Sequence, residues 1–411
     1  MTYFLRKKYY ILLVVLIISL NVFLQKTIIY AEEYSELSGL YSISYCVMVA
    51  ANGRILEEKD SQKELANAST TKILTCIIVL ENCNINEYAR VSKNASQQPN
   101  VKLGVKENEQ YKIKDLLYSM MLESFNDCAY VLGEFVAGDI KSFSQIMNKK
   151  ASEIGCKHTY FITPNGLDAK DKISFHHSTA QDLCTIMKYC TWLSPKAKEF
   201  KEITQTLQYT FDLPNKNNIV LSNHNRLLQE NCNIISGKTG FTSAAGYCYV
   251  GAYEKNGIKY CFCLLACGWP NNKNYKWIDS KKIIDHIECN YQTFVASDPN
   301  LIFEQKKFLN STMYYNGKID IEKWNSNCEN EFIFSDISKN ILVRKNEIIT
   351  EQIIINSSKK AEYKRNEVIG EIIYKNNNEC IAKCKIFLNN DIYKWNIISL
   401  FSAIIIDYIM M

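Results

Sequence analysis

A serine and a lysine three residues apart introduce the chemistry of this chain. They stand in Ser69-Thr70-Thr71-Lys72, with Ala68 before them and the apolar run Ile73 to Leu80 after. In a helix beginning near Ser69 the two side chains share one face and lie one turn apart. A serine hydroxyl is a weak nucleophile until a base takes its proton, and a neutral lysine amine is such a base. The helix N-terminus adds unpaired N–H groups and the positive end of a dipole, which favour an oxyanion forming at the serine. Spacing alone is unselective, because Ser357-Ser358-Lys359-Lys360 repeats it in a polar stretch with no helix signal.

Two further clusters follow in chain order, Ser124-Phe125-Asn126 and Lys238-Thr239-Gly240. Ser-x-Asn recurs at Ser92-Lys93-Asn94 and Ser338-Lys339-Asn340, so it says little by itself. Lys-Thr-Gly occurs once, where a strand is expected and a glycine would let substrate backbone approach closely. The five histidines form no His-Glu-x-x-His pattern and no Cys-x-x-Cys occurs, so neither a metal nor another cofactor is expected.

The elements that would carry these groups can be read from periodicity. Ile43 to Lys59 alternates and turns at Asn52-Gly53, a two-residue hairpin signal. From Ile73 to about Leu228 the pattern is mainly helical. Ile113 to Gly133 and Phe143 to Ile154 keep helical spacing, and Ser178 to Trp192 opens with capping residues. Strands return at Ile234, with Tyr247 to Tyr253 and Ile258 to Cys267 flanking Asn256-Gly257; Lys276 to Cys289 then reads as an amphipathic helix. Strands, helices and strands again imply one antiparallel α+β sheet with flanking helices, interrupted by a helical insertion over about 73–228, and a cleft between the two. Ser69 would sit at the first junction and Ser236-Gly237-Lys238-Thr239-Gly240 at the second. Residues 291–391 have the short alternating segments of a small all-β domain, punctuated by Asn316-Gly317, Asn346 and Asn376-Asn377-Asn378.

The chain has 411 residues and a formal charge of +5, which suits a wall- or membrane-facing protein and is no nucleic-acid signature. Arg6-Lys7-Lys8, the apolar Tyr10 to Leu24 and a cleavage site after Ala31 read as a signal peptide over 1–31; an uncleaved anchor is the alternative. Either places the remainder outside the cytoplasmic membrane. Residues 392–411 are expected to form an amphipathic tail too short to span a bilayer, with Trp395 at headgroup level; a helix docked on the β domain is the bland alternative. Export would favour disulfides among the 16 cysteines, yet many occupy apolar positions, so mostly free buried thiols are expected, with a Cys380–Cys384 bridge left open.

The order of the three motifs at sheet–insertion junctions resembles the serine acyl-transferase set of penicillin-binding proteins and class A β-lactamases. Pro164-Asn165-Gly166-Leu167-Asp168, Ser178-Thr179-Ala180-Gln181-Asp182-Leu183, Asn225-Arg226-Leu227-Leu228 and Gly237 to Tyr247 resemble, more narrowly, the low-molecular-mass D-alanyl-D-alanine carboxypeptidases. The resemblance runs over about residues 35–411 and implies a catalytic domain at 32–290 of the β-lactamase/transpeptidase-like fold. It also implies the C-terminal β domain, the tail on the outer membrane face, and β-lactams as covalent inhibitors. By that resemblance Ser69 is the nucleophile and Lys72 its base, while Ser124 relays a proton. Asn126 holds the substrate amide, and Lys238 and Thr239 bind the terminal carboxylate of a stem peptide ending in D-Ala-D-Ala. The N–H groups of Ser69 and Phe241 form the oxyanion hole, and Gly240 keeps the strand open. Phe125 departs from the family's small or polar residue, and Asn165 stands where histidine is common. His224 is either a carboxylate ligand or a surface residue, His176-His177 read as loop, and Asp168 and Asp182 read as turn locks and caps. The competing functions are a β-lactamase, for which no Glu-x-x-Leu-Asn segment is found, a D,D-endopeptidase and a catalytically silent wall-binding scaffold.

Overall fold

The computed structural model describes residues 36–214, 218–295, 332–334, 340–345, 347–355, 362–363, 366–376, 379–388 and 392–393. The expected signal peptide and all but two residues of the expected tail lie outside them, as do Ser357 to Lys360. No helix among the described residues is long and apolar enough to cross a membrane.

The chain enters through strands Ser44–Val49 (β1) and Ile55–Lys59 (β2) and passes into helix Lys72–Asn82 (α1). After the insertion, which carries helices Asn126–Ala137 (α2) and Ala180–Lys188 (α3), come strands Ile234–Thr242 (β3), Gly246–Lys255 (β4) and Ile258–Leu265 (β5), then helix Tyr275–Asn290 (α4). The five strands form one antiparallel sheet in the order β2-β1-β5-β4-β3. Alternation on the central strands splits the core in two. Cys46, Met48, Val250, Cys261 and Cys263 face the helical insertion, whereas Val47, Val49, Tyr249, Tyr260 and Phe262 face α4. Period-two patterning therefore builds a sheet sandwiched between helices, the α+β architecture expected. Helix α1 is buried on every side from Lys72 to Leu80, as an all-round apolar helix must be, and forms the axis of the insertion.

Several local expectations are corrected. Asn256-Gly257 is a true two-residue turn with both residues at positive φ, but Asn52-Gly53 belongs to a four-residue loop closed by Val49 N–H donating to the Arg54 carbonyl at 2.8 Å. The strand expected over Ile258 to Cys267 stops short of Cys267, which leaves the face shared by Cys261 and Cys263. Strand β5 ends at Leu265 and Ala266 adopts φ 51°, which turns Cys267 into the α4 side. The helix expected over Ile113 to Gly133 breaks: Ile113–Tyr118 widens into a π-turn at Ser119–Glu123 and stops at Ser124, φ 64°. A short hairpin, Gln208–Asp212 with Asn218–Ser222, interrupts the mainly helical stretch. The fifteen described cysteines are free, Cys380 and Cys384 included.

Beyond α4, strand Tyr291–Val295 (β6) is followed by Phe332–Phe334 (β7), Asn340–Arg344 (β8), Ile349–Ile355 (β9), Val368–Asn376 (β10) and Glu379–Leu388 (β11). Strand β6 pairs with β8, and a four-stranded sheet runs β7-β11-β10-β9. Arg54, beside β2, reaches across with two bonds to Glu347, at 2.6 and 3.2 Å, tying these strands to the main sheet.

Candidate active site

Ser69 lies on a single 3₁₀ turn, Ala68–Thr71, that runs into α1. Asn67 secures this turn from below: its Nδ2 donates to Thr70 Oγ1 and Thr71 Oγ1, and its carbonyl accepts from the Thr70 hydroxyl. Ala68 is held at φ 48°, and Ser69 is left half-buried at the mouth of the cleft. Lys72, fully buried, follows directly. Its Nζ is 2.7 Å from Ser69 Oγ, 2.9 Å from Asn126 Oδ1 and 2.8 Å from the Asn165 carbonyl oxygen. The last two partners only accept. A neutral, tetrahedral amine that gives its two hydrogens to them has its lone pair left for Ser69.

Electrostatics favour that neutral form. Burial, reinforced by the Lys238 cation, holds the Lys72 ammonium well below its ordinary range, while Cys128 and Asp127 oppose more weakly. Lys238, on β3 and also buried, is lowered by desolvation to about 7 and pulled back upward by Glu123. Two neighbouring ammoniums in one dry site cannot both stay charged cheaply. Lys238 is the better-supported cation.

Ser124 owes its position to the helix break, its backbone being left-handed where the π-turn ends. Its Oγ receives a hydrogen bond from Lys238 Nζ at 3.1 Å, so the second motif meets the third directly. Asn126 opens α2 with its side chain turned to Lys72, and its amide nitrogen is only 3.4 Å from the Pro99 carbonyl. Strand β3 is the sheet edge beside the Ser69 turn. A Cβ at Gly240 would come within 3.0 Å of the Ser69 nitrogen, so glycine is what permits that approach. Thr239 is half-buried beside it, and Phe241 is exposed, its ring packed on Tyr247 at a centroid distance of 4.6 Å.

The geometry brings together Ser69, Lys72, Ser124, Asn126, Lys238 and Gly240, and Thr239 and Phe241 flank Gly240 on strand β3. Among the other motif matches, Ser92 serves as a helix cap for Ala95 N–H, whereas Ser338-Lys339 and Ser357 to Lys360 lie outside the described residues. Asp182 accepts from the Lys157 and His158 N–H groups and the Thr159 hydroxyl, a lock as expected, and Asp168 accepts from Thr242. His224 pairs with Glu123 at 2.9 Å on an open surface. Sequence reasoning missed the Asn165 carbonyl, because a backbone acceptor has no signature, and missed His176, which is buried rather than loop-exposed. It also did not foresee how tightly Gly166 is wedged. A Cβ there would sit 1.9 Å from the Ala68 oxygen; the Pro-Asn-Gly turn was the available signal.

A sheet edge holding Lys-Thr-Gly against a half-buried serine and a buried lysine at the head of a central helix defines a serine acyl-transferase of the penicillin-recognising kind. The chain belongs to the peptidase S11 family, D-alanyl-D-alanine carboxypeptidase, whose model matches residues 32–265. It is 24% identical to D-alanyl-D-alanine carboxypeptidase DacF of Bacillus subtilis over 352 residues, 83% of each chain. Its fold is similar to penicillin-binding protein 5 from Haemophilus influenzae, with TM-score 0.67 and 21% identity over 87% of this chain and 99% of that one. It is also similar to penicillin-binding protein D2 from Listeria monocytogenes in its ampicillin-bound form, with TM-score 0.53 and 27% identity over 60% of this chain and 97% of that one. The protein is accordingly a serine-type D-alanyl-D-alanine carboxypeptidase, and the β-lactamase, endopeptidase and silent-scaffold readings are not favoured.

Proposed function

We propose that this enzyme trims the terminal D-Ala from peptidoglycan stem peptides outside the cytoplasmic membrane, with Ser69 as nucleophile and Lys72 as its base. The observation that carries the reading is the Lys72 cradle: two pure acceptors and one hydroxyl around a desolvated amine. The Lys238 cation and the Thr239 hydroxyl receive the substrate's terminal carboxylate. Its arrival stabilises charge on Lys238 and so keeps Lys72 neutral. Lys72 takes the Ser69 proton as Oγ attacks the penultimate carbonyl carbon. The N–H groups of Ser69 and Phe241 hold the oxyanion. The proton passes by way of Ser124 to the departing D-Ala nitrogen, the C–N bond breaks, and an acyl-Ser69 ester remains. Water, deprotonated by the same Lys72 and Ser124 pair, then releases the shortened peptide and restores Ser69. Asn126 holds Lys72 through Oδ1 and offers Nδ2 to the substrate amide.

The signal peptide and amphipathic tail read from the sequence support the membrane surface, facing the wall, as the place of this chemistry. A β-lactam, which offers a strained amide and a carboxylate in the same relative positions, acylates Ser69. The test is intact mass after brief exposure to penicillin, wild type beside Ser69→Ala. A one-drug adduct on the wild type alone is expected; an adduct that survives Ser69→Ala assigns the nucleophile elsewhere.

A further inference from the structure

His176 lies outside the cleft, yet it joins the two chain segments from which the Lys72 cradle is made. It is 2% exposed, and its backbone N–H donates to the Ala169 carbonyl at 2.8 Å. The ring Nδ1 accepts from two main-chain N–H groups, Ile162 at 3.0 Å and Thr163 at 3.3 Å. A nitrogen that accepts carries no proton, so the single proton of the neutral ring is on Nε2. Nε2 lies 2.9 Å from Thr71 Oγ1 and donates to it. An imidazolium would press an N–H against two N–H donors, and burial, with a smaller push from His177, lowers this ring's pKa to about 3. One tautomer satisfies every partner.

The two ends of the ring grip functionally distinct segments. Thr71 is the last residue of the Ser69 turn and adjoins Lys72; its hydroxyl oxygen is also held by Asn67. Ile162 and Thr163 lead through Pro164 to Asn165, whose carbonyl receives Lys72 Nζ at 2.8 Å and lies 3.5 Å from Ser69 Oγ. Pro164 is tied in turn to α1 by the Thr75 hydroxyl at 2.7 Å.

Resting on the Ser69–Lys72 reading above, we infer that His176 is a positioning residue for acylation. It clamps the Asn165 segment to the nucleophile turn and so fixes the direction in which the Lys72 lone pair points. Without it Asn165 drifts, Lys72 loses an acceptor and gains water. The titratable groups facing Lys72 are Lys238 from β3 and, more weakly, Cys128 and Asp127 from α2; the His176 ring bonds to Thr71, Ile162 and Thr163 and to none of these.

The experiment compares penicillin acylation rates, and kcat and KM on a D-Ala-D-Ala peptide, across pH for wild type, His176→Ala, His176→Gln, Thr71→Val and the double variant His176→Ala/Thr71→Val. His176→Ala is expected to acylate about 10²-fold more slowly, the scale of a 1 Å misplacement, with KM within threefold. Relief of desolvation raises the Lys72 pKa, so the acid limb moves to higher pH. His176→Gln, which keeps a donor near Thr71, recovers part of the rate. Thr71→Val reproduces the loss while leaving His176 in the core, and the double variant is no slower than either single one. If His176→Ala does not fold, Thr71→Val alone carries the comparison. A folded variant acylating within twofold of wild type, or a loss with an unmoved acid limb and additive effects, overturns the inference. Absence of any adduct on Ser69 in the wild type overturns the parent reading instead.

Discussion

Gly166→Ala tests the architecture of the site with a single methyl group. Gly166 has φ 81°, and an added Cβ would lie 1.9 Å from the Ala68 oxygen, 2.5 Å from its carbonyl carbon and 2.8 Å from Thr71 Oγ1. Two penalties combine: left-handed backbone for a residue with a Cβ, about 1–2 kcal/mol, and overpacking, about 1–3 kcal/mol. The expected loss of stability is therefore about 2–5 kcal/mol. To restore ordinary contact the Ala68 carbonyl must retreat by about 1.5 Å, and the Ser69 turn retreats with it, which is worth at least about 10²-fold in acylation. Gly138 supplies the control. Its φ is also 81°, but a Cβ there meets nothing within 4 Å. Gly138→Ala should show the backbone penalty alone, with wild-type acylation. Urea titration of both variants gives the stabilities, and stopped-flow quenching or mass spectrometry gives the acylation rates. The argument fails if Gly166→Ala acylates at the wild-type rate, or if Gly138→Ala slows acylation equally.

Three further outcomes follow from the same geometry. Lys238 must be charged to hold a carboxylate and its folded pKa is about 7, so kcat/KM should fall as pH rises through about 7. The acid limb belongs to Lys72, which must lose its proton to act; Lys238→Arg, charged at all working pH, should flatten the alkaline limb alone, and a wild-type profile level to pH 9 would contradict the assignment. The sign for stability is opposite. A lysine whose folded pKa lies below its unfolded value of about 10.4 binds fewer protons when folded, so stability rises as pH climbs from about 7 towards 10. Ser124 is held at φ 64°, so Ser124→Gly should melt no lower than wild type while losing at least about 10²-fold in kcat, as removal of a proton relay predicts. A variant that is both less stable and fully active would refute the relay and the strain together.

What the sequence by itself determined is local or pattern-borne. A three-residue spacing ahead of an apolar run is enough to put Ser69 and Lys72 on one turn, because helical geometry is set by neighbours along the chain. Asn256-Gly257 dictates its hairpin since few residue pairs tolerate positive φ twice. Alternation of apolar residues sorts Tyr249 and Val250 to opposite faces of the sheet without further information. The order of the three motifs was legible for the same reason, as was their meeting in a cleft.

Tertiary structure alone decided the states of those groups. Lys72 is driven towards its neutral form because residues distant in the chain exclude water from it and Lys238 adds a second charge; no local spacing encodes desolvation. The break at Ser124 overrides a continuous helical pattern and turns the hydroxyl to Lys238. Cys267 changes sides through one backbone angle at Ala266. Folding across 93 residues of chain brings the Asn165 carbonyl into the site, and folding across 105 brings the His176 ring against Thr71 behind it. Their roles depend on distances that only packing sets, whereas the Ser69–Lys72 spacing is held by consecutive covalent bonds.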